Sequence, residues 1–142
     1  MTKNDKKNLK VLIADDEVEF ASTIVARLNL RNYDATMANS GKAALAAIKQ
    51  EQPDILLLDL KMPDLDGLEV LASLNESYPD LAVIILTGHG SFKAGQKGME
   101  LGAYDYIMKP VDLNLLISKI EGAFQSSLEK AKGQNPEDGA VS

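Results

Sequence analysis

The chain has 142 residues, of which 45% are hydrophobic and 25% charged, with a formal net charge of −6 and no cysteine. This length and composition predict one domain with a core of its own. No apolar run reaches the roughly 20 residues of a transmembrane helix, and the charged N-terminus is unlike a signal peptide. Disulfides and thiolate metal sites are excluded, and the acidic balance argues against direct nucleic-acid binding. A cytoplasmic protein without membrane contact is expected.

Five short apolar runs alternate with five segments of helical spacing. The predicted strands are residues 9–14, 35–38, 55–58, 81–86 and 104–108. The predicted helices are residues 18–30, 40–50, 68–77, 91–101 and a last one from about 112. Such alternation with short loops predicts an α/β fold, a doubly wound parallel sheet with helices on both faces. Residues 1–8 are expected to be disordered, residues 9–128 to form the domain, and residues 129–142 to be a flexible tail.

The run Ile55–Leu58 ends at an acid, Asp59. Four consecutive aliphatic residues suit a strand buried on both faces, and Pro63 prevents its continuation. Ligands of open α/β sheets bind at the carboxyl ends of the strands. Considered alone, Asp59 fits a turn cap as well as it fits a functional group.

The other predicted strands also end at polar residues: Asp15 and Asp16 after the first, Thr87 after the fourth and Lys109 after the fifth. Carboxylates that share one edge repel each other, and a hard divalent cation relieves the repulsion. Ligands that are all oxygen favour Mg²⁺, or Mn²⁺, over zinc. A lysine and a threonine beside them could neutralise a phosphoryl group in transfer. A carboxylate is a feasible nucleophile for that group and would form an acyl phosphate.

Four segments, in this order and at these spacings, resemble the receiver domain of two-component response regulators, similar to the single receiver of chemotaxis. They are Asp15-Asp16, residues 58–67 around Asp59, Thr87-Gly88, and residues 102–110. The resemblance extends over about residues 9–128. It implies a flavodoxin-like (βα)5 fold with five helices and the strand order 2-1-3-4-5.

The resemblance also implies a reaction and its metal site. Asp59 would accept a phosphoryl group from a histidine kinase or a histidine phosphotransfer protein, and the domain would catalyse its own dephosphorylation. The protein would be a signalling switch, with no other enzymatic activity. Asp16 and Asp59 would bind Mg²⁺ directly, Asp15 through a water molecule, and Lys61 through its backbone carbonyl.

The same resemblance assigns the switch. Lys109 would pair with the phosphoryl oxygens, Thr87 would donate a hydrogen bond to one of them, and Tyr106 would turn inward as Thr87 moves. The Lys109–Pro110 peptide bond would be cis, which is inexpensive only before proline. The fourth helix, fifth strand and fifth helix would form the surface for an unknown downstream protein or a phosphorylation-dependent dimer.

Lys61 and His89 occupy the two positions at which this family tunes the lifetime of the acyl phosphate. Lys61 could contact the phosphoryl group or obstruct the attacking water, and His89 is expected to be partly exposed beside the site. Asp64 and Asp66 resemble part of a calcium loop, but Ser73 stands where its bidentate glutamate belongs. We therefore interpret Asp64 and Asp66 as turn and helix-cap residues.

Gly95 and Gly98 each weaken the fourth helix by about 1 kcal/mol relative to alanine. One interpretation is that they permit close packing. The other is that low local stability makes this helix a moving part.

Three alternatives stand beside the receiver. A haloacid-dehalogenase-like phosphatase would have an aspartate where Lys61 stands, and its nucleophile would follow the first strand. A flavodoxin-like cofactor module would need glycines and hydroxyls where Asp15 and Asp16 lie. The chain could also be the receiver of a longer multidomain regulator, although its polar tail favours a stand-alone receiver.

Overall fold

Five parallel strands form one sheet in the computed structural model, which describes residues 9–88 and 92–133. They are β1 (Lys10–Ala14), β2 (Asp34–Ala38), β3 (Ile55–Asp59), β4 (Ala82–Thr87) and β5 (Asp105–Met108). Their spatial order is β2-β1-β3-β4-β5, with every neighbouring pair parallel. Both the doubly wound parallel sheet and the predicted strand order are confirmed.

Five helices connect and follow the strands. They are α1 (Val18–Asn29), α2 (Gly41–Gln50), α3 (Gly67–Ser77), α4 (Phe92–Glu100) and α5 (Leu113–Gly133). The last helix is longer than predicted, because the polar residues after 128 include the strong helix formers Glu129 and Lys130. Residues 129–133, which the sequence assigned to a flexible tail, are therefore helical. No helix among the described residues is long and apolar enough to cross a membrane.

Short polar contacts set several helix ends. Ser40 Oγ accepts a hydrogen bond from Ala43 N at the start of α2, and Asp66 Oδ1 accepts from Leu68 N at the start of α3. After α1, Asn32 adopts a φ of 70°, a conformation that asparagine tolerates better than most residues. The prediction that Asp66 caps a helix is confirmed.

The core lies in two layers, one on each face of the sheet. Ile55 and Leu57 of β3 pack with α1 and α5, whereas Leu56 and Leu58 pack with α2 and α3. All four side chains are buried, as expected for a central strand of a parallel sheet. This double-sided packing holds Asp59, the next residue, at a fixed place on the carboxyl edge.

Two glycines bring α4 close to the sheet. A Cβ atom at Gly95 would lie 2.9 Å from the Tyr106 ring, and one at Gly98 would lie 1.9 Å from Ile85 Cδ1. Both glycines are buried. Close packing therefore accounts for their positions, as the first of the two interpretations expected.

Candidate functional site

Three polar residues predicted for the site are buried together at the carboxyl edge of the sheet. The exposed fraction is 0% for Asp15, 5% for Asp59 and 2% for Thr87. Asp15 directly follows β1, which pairs with β3 through Ala14 and Leu58. Buried carboxylates are rare unless something neutralises them.

The Lys109 side chain supplies this neutralising charge. Its Nζ lies 2.8 Å from Asp15 Oδ2 and 3.6 Å from Asp59 Oδ2. It also lies 2.5 Å from Glu17 Oε1 and 4.6 Å from the centre of the Phe20 ring. The Lys109–Pro110 peptide bond is cis, as predicted. One cation therefore faces three carboxylates and an aromatic ring.

Backbone amides orient the two buried carboxylates. Asp15 Oδ1 accepts a hydrogen bond of 2.9 Å from Glu17 N, and Asp59 Oδ1 accepts one of 3.0 Å from Lys61 N. In both residues the second oxygen, Oδ2, is the one that faces Lys109. Asp15 Oδ2 is buried and forms a close ion pair without an aligned hydrogen bond. Each of the two carboxylates therefore has one oxygen on a backbone amide and the other toward the Lys109 ammonium.

Burial and charge act against each other in this cluster. Burial raises the pKa of Asp15 above its ordinary 3.8, with a contribution from the charge of Asp59, while Lys109 and the Glu17 amide oppose the rise. Burial alone would lower the pKa of Lys109, but Asp15 and Glu17 outweigh it and hold the pKa above its ordinary 10.5. The ammonium therefore stays charged at neutral pH.

The donor atoms fit a hard divalent cation. One oxygen from each of Asp15, Glu17 and Asp59 lies within 4.8 Å of the others. A ligand set made only of oxygen suits Mg²⁺ or Mn²⁺. Glu17 was not predicted as a site residue. Its signal was the third place in the run Asp15-Asp16-Glu17, which the sequence also explains as acids that favour the dipole of α1.

Asp16 lies differently from the other acids. Its side chain is exposed, and it is not part of the carboxylate group that Asp15, Glu17 and Asp59 form among the described residues. The direct contact between Asp16 and Mg²⁺ therefore stays a prediction. Such a contact requires the Asp16 side chain to turn inward from solvent.

The loop after Asp59 is attached to a distant helix. Asp64 accepts hydrogen bonds of 2.9 Å from Gly41 N and from Lys42 N at the start of α2. These two amides hold the pKa of Asp64 below its ordinary value. Asp64 is thus a helix cap, as predicted, but it caps α2, which comes before it in the chain. Lys61, in the same loop, is exposed.

The proposed switch residues are in contact with α4 and β5. Thr87 Oγ1 donates a long hydrogen bond, 3.5 Å, to Ile107 O. The half-buried Tyr106 ring meets Phe92 edge-on, with 6.3 Å between ring centres and 71° between planes. The inward turn of Tyr106 stays a prediction. His89 lies outside the described residues.

Comparisons with known proteins identify the family to which the chain belongs. The family model of the response regulator receiver domain matches residues 11–121. The chain is 42% identical to the DNA-binding transcriptional regulator NtrC of Proteus hauseri over 94 residues, 66% of this chain and 20% of that protein. It is 34% identical to the response regulator MprA of Mycobacterium leprae over 134 residues, 94% of this chain and 56% of that protein.

A solved structure agrees with these matches. The receiver domain of the Francisella response regulator 1452 has a TM-score of 0.78 and 32% identity, with 84% of this chain and 99% of that one covered. The chain spans 20% and 56% of the length of the two curated relatives named above, whereas it matches this isolated domain almost end to end. The chain belongs to the family of response regulator receiver domains.

Proposed function

We propose that this domain accepts a phosphoryl group on Asp59 from a phosphohistidine of a histidine kinase or a phosphotransfer protein. An Asp59 oxygen forms the new bond to phosphorus while the bond from phosphorus to the histidine nitrogen breaks, and histidine leaves. The observation that carries the proposal is the position of Asp59, buried to 5% exposure, with Oδ2 3.6 Å from Lys109 Nζ. A charged amine at that place can stabilise the charge of the transferring group.

The metal proposal rests on the oxygen cluster. Asp15, Glu17 and Asp59 are the carboxylates that lie together. Of these we propose Asp15 and Asp59 as ligands, and we add Asp16 and the Lys61 carbonyl from the family resemblance. Mg²⁺, when bound, would neutralise phosphoryl oxygens. Asp59 Oδ1 accepts from Lys61 N, so the same loop that would present a carbonyl also orients the nucleophile.

The signal would leave through the face formed by α4, β5 and α5. Large apolar side chains are exposed on these elements; they are Phe92, Met99, Met108 and Leu115. Thr87 and Tyr106 would couple the phosphoryl group to this face. Lys61 and His89 keep their proposed role in the rate of self-catalysed dephosphorylation.

The comparisons favour a longer regulator in which this receiver is one domain. The relatives are named as a DNA-binding regulator and as a response regulator, and the matched segments are only part of each. We propose that in the whole protein an output domain that contacts DNA, as the name of one relative indicates for that protein, reads the switch. The expectation of no direct nucleic-acid binding then applies only to the present chain, whose formal net charge is −6.

Acetyl phosphate with Mg²⁺ tests the reaction. One hydroxylamine-sensitive phosphoryl group should be added per chain, as seen by intact-protein mass spectrometry, and Asp59→Asn should abolish it. Asp80→Asn, an exposed aspartate before β4, is the matched control and should label as the wild type does. Normal labelling of Asp59→Asn would refute the assignment of the nucleophile.

Calorimetric titration with Mg²⁺ tests the metal site. The wild type should bind weakly and saturably, and Asp16→Ala should weaken binding if Asp16 turns inward to the ion. An unchanged affinity in Asp16→Ala would remove Asp16 from the ligand set.

A further inference from the structure

Lys109 is paired most closely with carboxylates other than the phosphoacceptor. Its Nζ lies 2.8 Å from Asp15 Oδ2 and 2.5 Å from Glu17 Oε1, but 3.6 Å from Asp59 Oδ2. The proposed reaction needs this ammonium on oxygens of a phosphoryl group attached to Asp59. Lys109 must therefore give up at least part of its present pairing.

The two closer partners differ in how readily they can release the lysine. Asp15 is fully buried, and its other oxygen is bound by the Glu17 amide. The Glu17 side chain is 63% exposed, so water can solvate its carboxylate as soon as Lys109 leaves. Removing a counterion from a buried carboxylate is costly, whereas an exposed pair is worth little. The contact that breaks is the one with Glu17.

Glu17 is the N-cap residue of α1, yet its side chain accepts no capping hydrogen bond. Its carboxylate instead reaches Lys109, a residue far away in the chain. Its direct contact is thus with the cleft, and at the helix it contributes only the favourable charge of an acid near the N-terminus of α1.

We propose that Glu17 is an autoinhibitory counterion, which holds Lys109 away from Asp59 in the resting protein. Phosphorylation exchanges the Glu17 carboxylate for a phosphoryl oxygen as the partner of Lys109. The strength of the Glu17–Lys109 pair then limits phosphorylation in the absence of a partner protein. This inference rests on the proposed function of Asp59.

The test compares Glu17→Gln with Glu19→Gln. Both variants remove one carboxylate from the N-terminal end of α1, and Glu19 is exposed and lies outside the carboxylate cluster around Lys109. Acetyl phosphate and saturating Mg²⁺ are used on the whole chain. Glu17→Gln should be phosphorylated about two to five times faster than the wild type, the range expected for one partly exposed ion pair. Glu19→Gln should match the wild type.

A second measurement does not depend on phosphorylation. In a crystal structure of metal-free Glu17→Gln, the distance from Lys109 Nζ to Asp59 Oδ2 should fall from 3.6 Å to about 2.8 Å, a charge-assisted hydrogen bond. Because the Glu17 side chain accepts no capping hydrogen bond, circular dichroism should show an unchanged fold.

The outcomes separate the inference from the function on which it rests. Slower phosphorylation of Glu17→Gln at saturating Mg²⁺ would make Glu17 a metal ligand and overturn the inference. Equal rates in both variants, with Lys109 unmoved, would also overturn it. If the wild type is not labelled on Asp59 at all, the proposed function fails and this inference fails with it.

Discussion

On one side of Asp59, the loop between β3 and α3 is held by directional hydrogen bonds, since Asp64 binds two amides of α2 and Asp66 caps α3. On the other side, α4 and β5 meet through close packing, with the Tyr106 ring against Gly95 and Phe92. The described residues of α4 offer no acid in its first turn, and Phe92 is 53% exposed.

This difference matches two opposite requirements. A metal ion needs ligands held to within a fraction of an ångström, and hydrogen bonds at both ends of a loop provide that precision. A conformational switch needs an element that can move, and the packing of α4 on β5 contains, among the described residues, no directional hydrogen bond of the kind that holds the loop. Asp59, the proposed phosphoacceptor, lies between these two regions.

Gly67→Ala should have the largest effect, on the rigid side. A Cβ atom there would lie 2.5 Å from Leu60 Cα, and backbone cannot move aside as a side chain tip can. We expect a loss of about 1–3 kcal/mol in the free energy of unfolding, as for overpacked cores, and weaker Mg²⁺ binding because Lys61 shifts with Leu60. Urea denaturation and calorimetry measure both.

Gly88→Ala is the control for this substitution. A Cβ atom at Gly88 would have no neighbour within 4 Å among the residues that the structure describes, so the unfolding free energy should change by less than about 0.5 kcal/mol. Equal unfolding free energies for Gly67→Ala and Gly88→Ala would show that the loop between β3 and α3 adjusts to an added Cβ atom. The contrast between this loop and the contact of α4 with β5 would then be wrong.

Asp64→Ala and Ser40→Ala are a matched pair of substitutions at the start of α2. Both remove a side-chain cap from α2, and each should lower the unfolding free energy, as the loss of a helix cap does. Only Asp64 also connects the loop between β3 and α3 to α2. Mg²⁺ affinity should therefore fall in Asp64→Ala and stay unchanged in Ser40→Ala. Equal Mg²⁺ affinities would mean that the cap does not position the loop.

Gly95→Ala tests the side held by packing. Alanine favours a helix over glycine by about 1 kcal/mol, but its Cβ would approach the Tyr106 ring to 2.9 Å. Because this ring is only half-buried, it can tilt, and we expect a net change within about 1 kcal/mol, smaller than for Gly67→Ala. Ring resonances of Tyr106 should shift in NMR spectra. A loss of unfolding free energy as large as that of Gly67→Ala would show that the packing of Tyr106 against α4 cannot adjust to the added methyl group.

The smallest effect on stability is expected when the pH is lowered. The amides of Lys42 and Gly41 lower the pKa of Asp64 from its ordinary 3.8. The folded state therefore binds the proton less tightly than the unfolded state, so the stabilisation is present above pH about 4 and is lost as pH falls through the lowered pKa. As the pH falls from about 4 through the lowered pKa, the thermal stability of Asp64→Asn should decrease less than that of the wild type. If the two proteins lose stability in parallel over this pH range, Asp64 does not make this contribution.

Much of this arrangement could be predicted because local and global signals agree. The aliphatic runs before Asp59 and before Thr87 have the length and branching of buried strands, and the order of polar strand ends matched a family pattern. The end of α5 was missed, because a polar segment lacks the apolar period from which helices are predicted, although its residues favour a helix.

Long-range pairings were beyond a reading of local pattern. Asp64 was predicted to cap a helix, but the sequence around Asp64 does not indicate that this helix is α2. Glu17 had an adequate local explanation as an acid near a helix start, so its contact with Lys109 had no separate signal. Partners that lie far apart in the chain become visible only when the sheet brings their elements to one edge.

Phe20 beneath Lys109 has a consequence for how the cation travels. An ammonium is attracted to a ring face within about 6 Å of the ring centre, and here the ring centre is 4.6 Å from Nζ. In the proposed exchange, Lys109 would keep this contact while its anionic partner changes. The ring would then shield one side of the cation from solvent in both pairings.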